Sequence, residues 1–223
     1  QDDSMGKDQL DGTQNAMKFY GKELAAVEGF RRGTVDFSSQ VMAMRDAKCK
    51  YVLTSTMIRA TSQILNQAQK IGYKTQFIGN GSTPNVKIAE LSGKASDGYM
   101  AASAWEMLNS TVPGMEKVRA VMKKYSGDKF ATNDHYLMGW IYSKIFTEGI
   151  KLAGRDLTVD SFVKGMERIK DLDMGGVMGN VTFSSKRHIG CIATKLVKFD
   201  LKKKQFIPLD KEPVEAKSPQ FAQ

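Results

Sequence analysis

Two polar runs concentrate the groups best suited to meeting a small molecule. Ser55-Thr56-Met57 and Asn80-Gly81-Ser82-Thr83 each follow a short apolar stretch, and bring hydroxyls, amides, small side chains and one thioether. Such groups bind through hydrogen bonds and contact, and could floor a pocket. The same residue types fill ordinary turns between strand and helix, so residue type alone leaves both readings open.

Reactive constellations are not found. Gly79-x-Gly81 follows a strand-like run as a dinucleotide fingerprint would, but Pro84 stands where a third glycine should open a helix. There is no phosphate loop, no Gly-x-Ser-x-Gly elbow and no His-Glu-x-x-His. His135 and His188 lack partners at ligand spacing. Asp171 and Asp173 read as a solvated turn rather than an acid/base pair, and Asp2-Asp3 likewise. Cys49 and Cys191 are too few for a disulfide scaffold or a metal knuckle, and nothing local brings them together. The expectation is no catalytic residue, no metal and no cofactor.

The elements that must position the two polar runs form one unit. Tyr51-Val52-Leu53-Thr54 suits a buried strand, and Gln76-Phe77-Ile78-Gly79 a second. Between them Met57, Ile64, Leu65 and Ala68 share a helix face, and Gly72 suits a left-handed cap. Two parallel strands with a right-handed helical crossover release their loops side by side at the carboxyl end, where ligands settle in such sheets. Around this unit the pattern predicts a helix over 7–20, a strand over 23–30 and a helix over 37–47 capped by Asp36. A brief helix over 86–91, a turn at 94–97 and a strand near 98–103 follow. Strand and helix alternate about every dozen residues, so the predicted fold class is α/β with a doubly wound, mostly parallel sheet.

Beyond residue 104 the composition shifts. Residues 109–114 read as a linker-like turn, 115–125 as a surface helix and 132–153 as a long helix. Tyr136, Leu137, Trp140, Ile141, Ile145, Phe146 and Ile150 cover more than one stripe of that long helix, so it needs cover on most sides. Thr158 suits the cap of a further helix, residues 180–183 a strand, and 192–199 with 205–209 a C-terminal β-hairpin. The tail from 211 is polar, carries two prolines and reads as poorly ordered.

The 223 residues, 41% hydrophobic and 26% charged, match an ordinary globular composition. No apolar run approaches the ~18 residues of a membrane span, so no membrane insertion is expected. The net charge of +9 is scattered, with one dense run at Lys202-Lys203-Lys204, and lacks the interleaved aromatics of a nucleic-acid surface. The first residues do not form a signal peptide, so a mature or excised chain is expected.

Three segments in order carry a resemblance. Asp2-Asp3-Ser4-Met5-Gly6-Lys7 resembles the turn that opens the second lobe of type I periplasmic solute-binding proteins. Gly33-Thr34-Val35-Asp36-Phe37-Ser38-Ser39-Gln40-Val41 resembles their Gly-Thr-x-Asp-Phe-Ser segment, and Ile71-Gly72-Tyr73-Lys74-Thr75-Gln76-Phe77-Ile78-Gly79 their central helix-to-strand passage. The chain is thereby identified as similar to the leucine/isoleucine/valine-binding type of ABC-transporter receptor, from the first residue to about 209.

That resemblance implies an architecture. Residues 1–104 would be the second ligand-binding lobe, 105–175 the crossover and helices that belong with the first lobe, 176–210 C-terminal strands and 211–223 a tail. In the family a strand and a whole first lobe precede the opening turn. Neither is in this chain, which implies a fragment or a chain cleaved at its beginning. The 132–153 helix would then find its cover on the missing lobe or on a second chain.

It also implies a site and a role. Amino-acid-binding relatives carry a tyrosine before the opening glycine, an aromatic after the third strand and an acid after the fourth. The matching positions here are Met5, Met57 and Gly81. Without a carboxylate at Gly81, an ammonium would be buried unpaired, at a cost on the order of several kcal/mol. The implied ligand is an aromatic or short-chain carboxylate, an amide or another amino-acid-like molecule without a charged amine. Met5, Ser55, Thr56, Met57, Gly81 and Ser82 would bind it, with Tyr136 from the returning helix; both methionines also suit plain core packing. The implied role is extracytoplasmic: capture between two lobes hinged near Ala102-Ser103-Ala104-Trp105, then delivery to the membrane permease of an ABC importer, with no chemistry. A ligand-sensing receptor domain on the same fold is the rival reading.

Overall fold

β1 (Tyr51–Thr54) and β2 (Gln76–Gly79) run parallel with Thr54 opposite Gly79, and α3 (Ile58–Lys70) connects them. The expected βαβ unit is therefore present in this computed structural model, which describes residues 1–127, 134–210 and 212–215. These form two units, 1–103 with 195–210 and 104–194 with 212–215. The segment 176–210 is thus shared between them, 176–194 in the second and the remainder in the first.

In the first unit β3 (Met100–Ser103) extends the sheet in parallel beside β2. β4 (Ala193–Asp200) then runs antiparallel to β3, and β5 (Gln205–Pro208) antiparallel to β4, giving the order β1-β2-β3-β4-β5. The expected hairpin closes this edge, and the fold is α/β with a mostly parallel core. The two sheet faces are unequal. Val52 and Phe77 are buried on the face that α3 covers with Ile64, Leu65 and Ala68, whereas Tyr51 and Leu53 are 70% and 56% exposed on the other. Gly72, at φ +69°, ends the chain's turn out of α3 as expected.

α1 (Ser4–Phe19) begins earlier than the periodicity predicts. Asp3, read as a solvated residue, caps it: Oδ1 accepts the Gly6 N–H at 2.9 Å, which holds the carboxyl below its usual pKa. α2 (Ser38–Asp46) opens just after Asp36, whose carboxylate accepts from the Ser38 amide and hydroxyl. α4 (Lys87–Ser92) and a 3-10 turn (Gly93–Ser96) match the brief helix and turn expected there.

The strand expected over 23–30 is not formed. Its exposed apolar run includes Val27 at 50% exposure, and Asp2 N–H donates to Phe30 O at 2.7 Å at its far end. A strand needs a ladder partner, and the apolar run Leu24-Ala25-Ala26-Val27 does not supply one.

The second unit packs α5 (Pro113–Ser126), α6 (Asp134–Ala153) and α7 (Val159–Glu167) around one core. Met115, Val118, Met122, Leu137, Ile141 and Ile169 are its centre. Pro113 and Gly114 open α5 instead of forming a linker; a Cβ on Gly114 would lie 2.6 Å from Gly175 O, so a side chain is excluded. Gly149 and Gly165 let α6 and α7 approach, a Cβ on Gly165 meeting Gly149 O at 2.5 Å. Thr158 and Ser161 complete a reciprocal capping box on α7.

Of the seven apolar residues expected to lack cover on α6, Leu137 and Ile141 are buried within this unit and Tyr136, Trp140, Ile145 and Ile150 are half-buried. Phe146 is 54% exposed with its ring 5.0 Å from that of Phe162, so poor packing is not seen for most of the helix. Residues 132–133 lie outside the described residues. Residues 180–183 form no strand; Val181 makes an isolated bridge to Leu172. In the expected tail, residues 211 and 216–223 lie outside the described residues, and β6 (Val214–Glu215) pairs with Ala193 and Thr194 instead of hanging loose.

Candidate functional site

The register Thr54↔Gly79 sends the chain out of β1 and β2 at the same level, so the runs 55–57 and 80–83 emerge as neighbours. Asn80 joins them: its Nδ2 donates to Thr56 O at 3.2 Å, and its Oδ1 accepts from Ser82 N at 3.2 Å and Ser82 Oγ at 2.7 Å. The same Nδ2 donates to Gln9 Oε1 at 3.3 Å, which brings α1 to the pair of loops. Met5 is half-buried one turn earlier on α1, on the face that carries Gln9.

Met57 was expected on the buried face of α3. It precedes the helix in an extended conformation and is 52% exposed, close to Ser82, whose Oγ is 3.9 Å from Sδ. Met57 is therefore not a core side chain of α3. Gly81 has open space around it: a Cβ there would find Ala102 O at 3.9 Å and nothing nearer. Ser55 Oγ is buried without a hydrogen-bond partner among the described residues. Thr56 faces inward, its Oγ1 2.6 Å from Thr61 Oγ1. Tyr136 belongs to the second unit, half-buried against the core of that unit.

Residue-type reasoning placed Asn80 and Thr83 in a polar run without giving either a bonding role, and missed Gln9 and Tyr99. Asn80 could have been found as an Asn two residues before a serine, the pattern of a side chain closing its own turn. Tyr99 and Thr83 leave no local sign, since their 2.8 Å hydrogen bond depends on β3 lying beside β2. Tyr99 Oη fills the place a side chain at position 79 would need, 1.7 Å from an ideal Cβ. Burial raises the pKa of that phenol, and its hydroxyl partners offset part of the rise.

The loops carry donors, acceptors and a thioether, and residues 55–57 and 80–83 include no acid, base or thiol. Among the described residues no three His, Cys, Asp or Glu are grouped to hold a metal ion, and no helix is long and apolar enough to cross a membrane. Cys49 and Cys191 are free thiols. A depression of about 250 Å³, lined by Ala68, Tyr73, Phe77 and Lys94, lies at the opposite end of the sheet from these loops.

A parallel sheet with paired loops at its carboxyl edge is the scaffold of a binding lobe, and the sequence match agrees: residues 1–204 fit the periplasmic binding protein family, to which this chain belongs. The Leu/Ile/Val/Thr-binding protein of Salmonella typhimurium and the Leu/Ile/Val-binding protein of Escherichia coli K12 are each 24% identical over 116 residues. That match covers 51% of this chain and 32% of either relative. A branched chain amino acid ABC transporter protein from Thermus thermophilus with bound valine superposes at TM-score 0.83 and 18% identity. The superposition covers 97% of this chain and 59% of that one. A fatty acid ABC transporter substrate-binding protein from Thermomonospora curvata gives 0.81 at 20% identity, covering 97% and 56%.

Proposed function

We propose that this chain is part of the extracytoplasmic solute-binding component of an ABC importer, and that the loops 55–57 and 80–83 form one wall of its ligand cleft. Asn80 carries this reading, because one side chain ties both loops and α1 into a single surface. The ligand is a small organic molecule, held without chemistry and passed to a membrane permease. Relatives of this fold are named for ligands as different as valine and a fatty acid, so the fold does not choose among them.

The composition of the wall favours a carboxylate or amide without a charged amine. Residues 55–57 and 80–83 contain no carboxylate, and Gly81 stands where the resemblance puts the acid that pairs with an ammonium. Met5, Met57, Ser55 and Ser82 supply contact and hydrogen bonds, whereas the Thr56 side chain, 2% exposed and bonded to Thr61, is turned inward and leaves the proposed contact set.

A thermal-shift series on the full-length protein with benzoate, butyrate, butyramide and leucine tests the ligand reading. A ligand at a hundred times its Kd adds about 2.7 kcal/mol. The expected result is a rise in Tm with a carboxylate or the amide and none with leucine. A rise with leucine alone overturns the Gly81 argument, and no rise with any of the four overturns binding of this ligand class.

A further inference from the structure

Behind the two loops lies a group of buried hydroxyls that the ligand reading does not use. Thr61, Thr83 and Tyr99 are at most 2% exposed, and Thr54 and Thr56 are buried beside them. Tyr99 Oη donates to Thr83 Oγ1 at 2.8 Å, and Thr83 Oγ1 donates to Asn80 O at 2.7 Å. On the other side Thr56 Oγ1 is 2.6 Å from Thr61 Oγ1, which donates to Met57 O at 3.1 Å. The hydroxyls of Thr54 and Thr61 also act on the Tyr99 phenol, favouring its ionised form against the effect of burial.

We propose that Tyr99 and Thr83 are positioning residues that set the separation of the 55–57 and 80–83 loops from behind, through backbone oxygens at Asn80 and Met57. Apolar residues would fill this space with less desolvation; a satisfied hydroxyl chain instead admits one arrangement of donors and acceptors. Gly79 follows from the same device, because a Cβ there would lie 2.1 Å from Thr83 Oγ1 as well as against the phenol oxygen. Neither residue reaches the surface that a ligand would touch. The inference rests on reading these loops as a ligand wall, but the geometry it assigns is measurable without a ligand.

The test is amide hydrogen exchange on the full-length protein as wild type, Tyr99→Phe, Thr83→Val and Thr83→Ser. Tyr99→Phe and Thr83→Val are expected to speed exchange at 56–57 and 81–83 about tenfold, the scale of one lost buried hydrogen bond. Exchange in α2 and β5 stays unchanged, and Thr83→Ser, which keeps the hydroxyl, behaves as wild type. Loops that exchange as in wild type overturn the proposal. So does a uniform rise across the unit, which marks a purely structural loss, and so does a serine variant indistinguishable from valine. Benzoate and butyrate titrations run in parallel: if wild type binds neither, the ligand reading fails while the exchange result still decides the positioning role.

Discussion

Asn80 and Gln9 are 71 positions apart in sequence and meet through one hydrogen bond of 3.3 Å, Nδ2 to Oε1. That contact makes the first helix part of the loop surface, and it carries a measurable coupling. Asn80→Ala loses it together with the bonds to Thr56 O and Ser82, and is expected to cost about 1 kcal/mol in urea unfolding. A double-mutant cycle with Gln9→Ala should give a coupling of roughly 0.5 kcal/mol. Strict additivity would show that the pair does not join α1 to the loops.

Gly79→Ala should be among the more damaging single changes in the first unit, at about 2–3 kcal/mol by overpacking. The cause is the phenol oxygen of Tyr99, 1.7 Å from the new Cβ. In a Tyr99→Phe background the penalty should shrink, because the nearest obstructing atom has gone. Denaturant midpoints of the four proteins decide this, and an equal penalty in both backgrounds counts against the steric assignment.

Met57→Gln separates contact from packing. Because Met57 is half exposed, its replacement should leave stability within about 0.5 kcal/mol of wild type. Affinity for the carboxylate or amide found by thermal shift should fall. A large loss of Tm would return Met57 to a packing role.

Gly81→Glu asks whether a missing carboxylate sets the ligand class. Gly81 has an ordinary negative φ and open space at its Cβ, so the substitution should be tolerated with little change in Tm. It is expected to bring binding of leucine or valine that the wild type lacks, read by calorimetry. A stable variant that still ignores both amino acids would remove Gly81 as the determinant.

Asp36 supplies a pH dependence. The hydroxyl of Ser38, and then its amide, hold this carboxylate below its usual range. A carboxyl whose folded pKa lies below its unfolded one contributes stability above the unfolded value, and loses it as pH falls through the folded one. Asp36→Ala should therefore be less stable than wild type at neutral pH and equal to it near about pH 2. Chemical unfolding at the two pH values is the check, and a difference that persists in acid would assign the effect to something other than the ionised carboxylate.

Local chemistry was legible wherever a residue and its near neighbours settle the outcome. The βαβ unit, the left-handed Gly72, the Thr158 cap and the terminal hairpin are each fixed by patterns a few residues long. The adjacency of the 55–57 and 80–83 loops followed as well, because parallel strands with a right-handed crossover leave little choice. The strand expected over 23–30 shows the limit: a short apolar run states a preference, and a ladder forms only where a neighbouring strand offers its edge. Met57 shows it again, since one residue of helix offset turned an expected core side chain outward. What the tertiary structure decided is which distant groups share a hydrogen bond, as Asn80 does with Gln9 and Tyr99 with Thr83. Those partners are chosen by the stacking of β3 beside β2 and the lie of α1, and no local periodicity encodes either.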